Sequence, residues 1–383
     1  MILYFTYNDQ PSGVYWSQVT DVVDHMQALD GQRIRLVALV SGRGYFATRR
    51  AIHAHAPSAW VLPMVPKMRF WRWNLVLLAW ACCWSRPSGI IARGVFATWM
   101  AQRMRGMGLC RRVCFDGRGA YAAEWEEYRL IDDDALIAQC RPLEHGAIHH
   151  SDMRLAVSHA LVDHWRERYG WKGEEYVVIP CALGTDHART ITQGLRTSSG
   201  AAVSDPAVRS EVVLVYSGST AGWQSFELLK RLLVPLLEAQ PRLRVLFLSK
   251  PDANNQALKT LFPGRVEVRW AKPADVPAIL AGCDHGLMIR EDTITNRVAS
   301  PTKFAEYLAA GLPVLISAHI GDFRTTVRAN DLGLVWDEGT ALPPLERTGD
   351  ARRALLRAYA ADRLTKSAFD TAYRRILQAL GRI

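Results

Sequence analysis

Short apolar runs alternate along this chain with stretches whose apolar residues recur every three or four positions. Ile2–Thr6 is the first run, and the polar, turn-rich Asn8–Gly13 follows it. Val14, Val19, Val22, Val23, Met26 and Leu29 then fall at helical spacing, and Ile34–Val40 is the second run, closed by Ser41-Gly42. Strand, helix, strand with so short a connection predicts a βαβ unit and therefore a parallel sheet. The pattern continues with a strand at Gly89–Arg93, a helix at Phe96–Met107 and a strand at Arg111–Asp116. A strand at Leu155–Ser158, a helix at Ala160–Tyr169 and a strand at Tyr176–Ile179 close the series.

The alternation stops at Gly184–Arg209, which is rich in Thr, Ser, Ala and Gly and carries no strand-like run. Such composition marks a linker. A second series begins at Glu211. It holds strands at Val212–Tyr216, Arg244–Leu248, Arg265–Trp270, His285–Ile289 and Leu312–Ile316, with helices at Phe226–Leu237 and Pro273–Ala281 between them. Ile320–Val327 is a loop or short helix, Leu334–Trp336 a short strand, and Ala351–Tyr359 and Ala368–Leu380 are closing helices. The expected organisation is an N-terminal domain at 1–185, a linker at 186–209, a C-terminal domain at 210–365, and a last helix at 366–383 that packs back toward the first domain. A chain of 383 residues suits two domains.

Candidate chemistry gathers at the C-terminal ends of the strands, where open α/β sheets bind ligands. In Ser300–Ser317, SPTKFAEYLAAGLPVLIS, Ser300 is positioned to cap a helix and Pro301 to occupy its first turn. Thr302–Ala310 is the helix and Gly311 stops it. Lys303 and Glu306 lie three residues apart on one helix face. A helix start with a cation beside it suits a phosphate, and a neighbouring carboxylate suits sugar hydroxyls. A capped helix with a solvated Lys–Glu pair satisfies the same pattern. Ser217-Gly218-Ser219-Thr220-Ala221-Gly222 joins a strand to a helix through small residues that let backbone N–H groups approach an anion. Lys250 and Arg290 stand at two further strand ends. In the first half, Gly13 lies in the loop above the first strand, and Asp116-Gly117-Arg118-Gly119 ends another. Arg118 there can hold an anion and Asp116 a hydroxyl, or the two can form an internal ion pair.

Composition narrows the partner. Net charge is +10 with a pI of about 9.4, which favours an anionic partner. Nothing marks a nucleic-acid-binding motif. Seven scattered Cys suit thiols in a reducing compartment, the Asp132-Asp133-Asp134 run suits a solvated helix start, and no metal is expected. The N-terminus lacks the basic region and cleavage site of a signal peptide, so the expected location is cytoplasmic. Lys67–Trp84 mixes Lys67, Arg69 and Arg72 with Trp71, Trp73, Trp80 and Trp84. Its uncharged part is too short to cross a bilayer. It suits a helix lying on a membrane interface or one half-buried in the first core.

Two Rossmann-like halves joined by a linker resemble the GT-B fold of glycosyltransferases: α/β, with two parallel-sheet domains facing a cleft. The segment Pro301–Val314 resembles the donor-site segment of glycosyltransferase family 4. Tyr216–Ser219 is similar to that family's first glycine loop in the C-terminal half. Asp116–Gly119 resembles a D-x-R-G element of members that build bacterial surface polysaccharides, such as lipopolysaccharide. Ala156–Ser158 and Val178–Cys181 resemble the strand ends before the family's linker. The resemblance implies a nucleotide-sugar donor in the C-terminal half and a glycan or lipid-linked acceptor in the N-terminal half, with retention, no metal and no cofactor. Glu306 would hold the donor ribose, Gly218 and Ser219 would approach the diphosphate, and Ser300, Pro301, Thr302 and Lys303 would cap it. Asp116 and Arg118 would face the acceptor. Two departures stand out. Val298 occupies the place of the first Glu in the family's E-x7-E pair, and Gly222-Trp223-Gln224 replaces its Lys-Gly. Lys250, Arg290 and Lys303 would then supply the cations. Sugar-nucleotide 2-epimerases and weakly catalytic sugar-nucleotide-binding proteins share the fold.

Overall fold

The structure, a computed structural model, describes residues 1–184, 210–218 and 225–381. The chain divides into two compact units, Met1–Gly184 with Lys366–Ile383, and Thr185–Thr365. The expected linker at 186–209 lies outside the described residues.

The first unit is built on a parallel sheet of seven strands: β1 (Ile2–Tyr7), β2 (Ile34–Val40), β3 (Trp60–Pro63), β4 (Gly89–Arg93), β5 (Arg112–Gly117), β6 (Met153–Ala156) and β7 (Tyr176–Val178). Their order is β3-β2-β1-β4-β5-β6-β7. The second unit's sheet has six: β8 (Val212–Ser217), β9 (Leu243–Leu248), β10 (Val266–Val268), β11 (His285–Met288), β12 (Val314–Ser317) and β13 (Gly333–Trp336), in the order β10-β9-β8-β11-β12-β13. Every strand pair is parallel. Each sheet winds outward over three strands and then returns to the strand it began from. The winding therefore reverses between β1 and β4, and again between β8 and β11. At such a reversal neighbouring loops leave in opposite directions and open a crevice.

The inner strands are buried on both faces, which is why they appear in the sequence as unbroken apolar runs, whereas the edge strands β3, β7, β10 and β13 are only partly buried. The helix Asp370–Gly381 belongs to the first unit. Its Tyr373, Ile376, Leu377 and Leu380 join the core formed by Ile2, Tyr4, Val19, Val23 and Leu36. Lys366, at the start of this return segment, is buried and donates to Leu183 O at 2.7 Å.

Several elements depart from the sequence reading. The helix expected over Val14–Leu29 is three pieces: Gly13–Tyr15, a π-turn at Trp16–Thr20 and Asp21–Asp30. Thr20 Oγ1 donates back to Trp16 O at 2.8 Å, a side-chain bond that competes with regular helix pairing. A helix at Tyr45–His55 and the edge strand β3 fill a stretch where apolar spacing shows neither. β3 is four residues long and ends in Pro63, which an edge strand tolerates. Ser300 is not the cap of its helix. A residue before proline is held extended, so Pro301 takes the N-cap position without a side-chain bond and the helix runs Thr302–Ala309.

Candidate functional site

At the β8/β11 reversal one side chain joins the elements. Tyr307, on the Thr302–Ala309 helix, is fully buried. Its hydroxyl accepts the Ser217 N–H at 2.8 Å and donates to Leu287 O at 3.2 Å. The end of β8, the end of β11 and the helix are thereby fixed together. The ring fits because β11 carries Gly286 beneath it, where a Cβ would collide with the Tyr307 ring. Phe304 stacks on Phe323 at 3.9 Å and 11° on the same buried side. The helix is turned by these contacts so that Lys303 and Glu306 lie on its less buried face. They form an ion pair at 3.1 Å, with side chains 32% and 20% exposed.

The other predicted residues of this half sit on the same sheet edge. Gly218 directly follows β8 and is partly exposed. Ser219 lies outside the described residues, as does Gly222-Trp223-Gln224. Arg290 follows β11, and Ser317 at the end of β12 holds it from both sides. Ser317 Oγ accepts the Arg290 N–H at 2.9 Å and donates to Arg290 O at 2.8 Å. The Arg290 guanidinium donates to Asn296 at 3.3 Å. Lys250 is exposed after β9, its carbonyl accepting from Asn255 at 2.9 Å. Val298 is buried at 3% exposure. Asp292 is engaged by Arg297 at 2.5 Å and by His319 at 3.3 Å, and the Arg297 hydrogen bonds hold its carboxyl below the usual range.

At the β1/β4 reversal of the first unit a buried polar cluster occupies the sheet edge. Asp116 is fully buried at the end of β5. It pairs with Arg118 Nε at 2.7 Å and accepts from the Tyr4 hydroxyl at 2.5 Å. Arg93, at the end of β4, stands 3.6 Å from Asp116 and 3.5 Å from Asp9. Asn8 takes a left-handed turn, φ 59°, that brings Asp9 back over Arg93. Burial pushes the Asp9 carboxyl up, opposed by Arg93. Burial disfavours the Arg118 charge as well, and Asp116 more than offsets that. Two carboxylates face two guanidinium groups, and Arg118 Nε, although 2.7 Å from Asp116 Oδ1, makes no hydrogen bond of good geometry with it. Gly13 opens a helix beside this edge, with open space where a Cβ would stand.

Apolar periodicity and motif spacing did not reveal Tyr4, Asp9, Arg93, Tyr307 or Ser317, because each acts through a contact distant in sequence. Gly286 carried a usable signal: glycine inside an apolar strand marks close approach by another group. A cavity of about 480 Å³ is lined by Glu211, Arg244, Arg265, Glu267 and Cys283, among others, and contains none of the predicted residues. We place the site by the strand ends, where fixed donors and charges converge.

No family model and no curated protein matches the sequence. Solved structures do match over essentially the whole chain. HepE of Anabaena, solved with UDP and glucose, is 14% identical with a TM-score of 0.64, covering 100% of this chain and 99% of its own. Sucrose-phosphate synthase of Thermosynechococcus elongatus is 12% identical with a TM-score of 0.65, covering 99% and 98%. The lipopolysaccharide outer core galactosyltransferase WaaB is 12% identical with a TM-score of 0.63, covering 100% and 99%. UDP-GlcNAc 2-epimerase of Neisseria meningitidis is similar at lower score, 11% and 0.52, covering 98% and 94%. The chain has the α/β fold of the GT-B type, two units each built on a parallel Rossmann-like sheet.

Proposed function

We propose that the protein is a glycosyltransferase of the family 4 kind. It moves a hexosyl group from a nucleotide-diphosphate sugar to a glycan or lipid-linked acceptor in surface polysaccharide synthesis, with retention and without a metal or cofactor. The observation that carries this reading is the Tyr307-tethered helix at the β8/β11 reversal, which presents Lys303 and Glu306 beside the ends of β8 and β11. In this reading Glu306 accepts hydrogen bonds from the ribose hydroxyls. Lys303, with Arg290 and Lys250, stabilises the diphosphate as negative charge grows on it in the transition state. The N–H groups of Gly218, Ser300 and Thr302 approach the same phosphates. Asp116 and Arg118 support the acceptor side of the first unit. Their mutual neutrality suits an uncharged, hydroxyl-rich acceptor. The protein acts in the cytoplasm at the inner membrane face, which Lys67–Trp84 contacts.

Likeness to 2-epimerases supports a second reading, in which the bound UDP-sugar is inverted at C2 instead of transferred. A panel of UDP- and GDP-sugars separates the readings. The transferase raises its melting temperature with one nucleotide and slowly releases free sugar. An epimerase instead yields the C2 epimer by NMR. A weakly catalytic binding protein, which Val298 in place of a Glu permits, shows the shift with no product. Glu306→Ala and Lys303→Ala should each abolish most of the thermal shift, and a shift unchanged in both variants would overturn the assigned site.

A further inference from the structure

From Gly31 to Phe115 the chain contains no Asp or Glu, while it contains 14 Lys and Arg. The remaining residues carry 33 Lys and Arg against 37 Asp and Glu, so the whole net charge of +10 originates in this one segment. Of the 14, Arg93 pairs with Asp9 and Asp116, and Arg105 with Asp152. The other twelve form no ion pair among the described residues. Several guanidinium groups lie over aromatic rings instead. Arg69 lies over Phe70 at 4.8 Å, Arg35 over Trp60 at 4.5 Å, and both Arg72 and Arg103 over Trp99, at 5.7 and 4.8 Å. Ring stacking leaves the charge uncancelled and fixes its direction.

Within the same segment the helical stretch Met68–Ser85 carries a surface stripe. Trp73, Val76, Trp80 and Trp84 follow spacings of three and four, so they lie on one helix face. They are 67%, 66%, 50% and 76% exposed, whereas Trp71, Leu78, Ala81 and Cys82 on the opposite side are buried. One face of this helix packs into the first core, and the opposite face stands exposed. Three exposed tryptophans and an exposed aliphatic in series form an apolar patch of the kind that marks an interaction surface. Among the described residues no helix is long and apolar enough to cross a membrane. The first turn of the stretch is also tied to the β1/β4 reversal: Tyr7 and Asn8 both donate to Met68 Sδ at 3.6 Å, and Asn74 donates to the Tyr7 hydroxyl at 3.4 Å.

We propose that the Trp73–Trp84 face, with the adjoining Lys67, Arg69 and Arg72, docks on an anionic lipid surface and selects that surface by charge. This deepens the inner-membrane reading above and stands apart from the transfer chemistry. Tryptophans enter the headgroup boundary and arginines without an ion pair meet lipid phosphates; the acids nearest this basic group are Asp132 and Asp133, which line a cavity with Lys67 and Arg69. Contact of Met68 with Tyr7 and Asn8 places the docked helix beside the Asp9–Arg93 edge.

The test uses the full chain and extruded vesicles, one set of phosphatidylcholine and one in which about a third of the lipid is phosphatidylglycerol. The expected result is binding about tenfold or more stronger to the anionic set, weakened by raising salt to about 0.5 M. Trp73→Ser/Trp80→Ser/Trp84→Ser and Arg69→Gln/Arg72→Gln should each reduce it about tenfold, with the fold retained, because all five side chains are exposed and lose only contacts to neighbouring rings. Equal binding to both vesicle sets, or anionic binding that survives both variants, overturns the proposal. A dimer in light scattering that the triple variant dissolves would instead assign the face to a second copy and overturn it too. Nucleotide-induced stabilisation is measured in parallel. Its loss in the wild type would strike the transferase reading, and its retention alongside absent vesicle binding would strike the docking alone.

Discussion

Tyr307→Phe isolates the contact that builds the candidate donor site. The substitution removes one oxygen from a fully buried side chain and leaves the ring in place over Gly286. Ser217 N–H, 2.8 Å away and in a buried residue, then has no acceptor, and Leu287 O loses a donor at 3.2 Å. An orphaned buried donor costs about 1–3 kcal/mol, and loss of the longer bond adds a fraction of that, so the expected destabilisation is about 2 kcal/mol. For a unit of this size that corresponds to a melting temperature lower by about 4–8 °C. Two assays report it: calorimetry on the full chain, and hydrogen exchange at the Ser217 amide, whose protection should drop because its partner is gone. Nucleotide binding should weaken as well, since the start of the glycine loop is no longer held to the helix. A melting temperature within about 1 °C of the wild type, together with an equally protected Ser217 amide, would refute the claim that this hydroxyl fixes the site.

Further outcomes follow from the same geometry. Gly286→Ala should cost about 1–3 kcal/mol through collision with the Tyr307 ring, and the cost should shrink when Tyr307→Ala is introduced beside it, as a double-mutant cycle would show. Asp116→Asn leaves Arg93 and Arg118 buried beside a neutral side chain, with an expected loss of about 3–5 kcal/mol in denaturant unfolding; an unchanged midpoint would contradict the pairing at 2.7 Å. Glu144 is buried and accepts the Tyr121 and Ala122 N–H groups at 3.0 Å and the Tyr169 hydroxyl at 2.8 Å, while burial pushes its carboxyl up to about 7. The folded state then binds more protons than the unfolded state between about pH 4.5 and pH 7. Stability should fall across that window by up to about 3 kcal/mol, and Glu144→Gln should flatten the fall in unfolding experiments at several pH values.

Much of the architecture was legible because the inner strands of each sheet are buried on both faces. Ile2–Tyr7, Ile34–Val40, Val212–Ser217 and Leu243–Leu248 stand out as apolar runs between turn residues, and that spacing alone implies parallel winding. What stayed hidden was short, irregular or at an edge. β3 has four residues and a proline, and the Trp16–Thr20 turn looks like ordinary helix in a periodicity. The donor-side stretch was legible as a chemical pattern: Lys303 and Glu306 at helical spacing do meet, at 3.1 Å. The tether that aims them was not, since Tyr307 and Ser217 are 90 residues apart and a tyrosine on an apolar helix face resembles any core residue. Asp116-Gly117-Arg118 left two meanings open in the sequence. Burial of Asp116 shows the ion pair, and the partners that complete the cluster, Tyr4 and Arg93, come from other strands. The absence of acids over Gly31–Phe115 is visible in the sequence itself. It became informative only when the structure separated exposed tryptophans from buried ones.

The central claim is that a nucleotide diphosphate binds at the Tyr307-tethered helix. A crystal structure with the nucleotide that most raises the melting temperature tests it most directly. The account predicts the diphosphate against the Gly218 loop and the Ser300–Lys303 helix start, with the ribose hydroxyls on Glu306 and a cation from Lys303 or Arg290 on the phosphates. A nucleotide seated elsewhere, with Glu306 still paired only to Lys303, would contradict it.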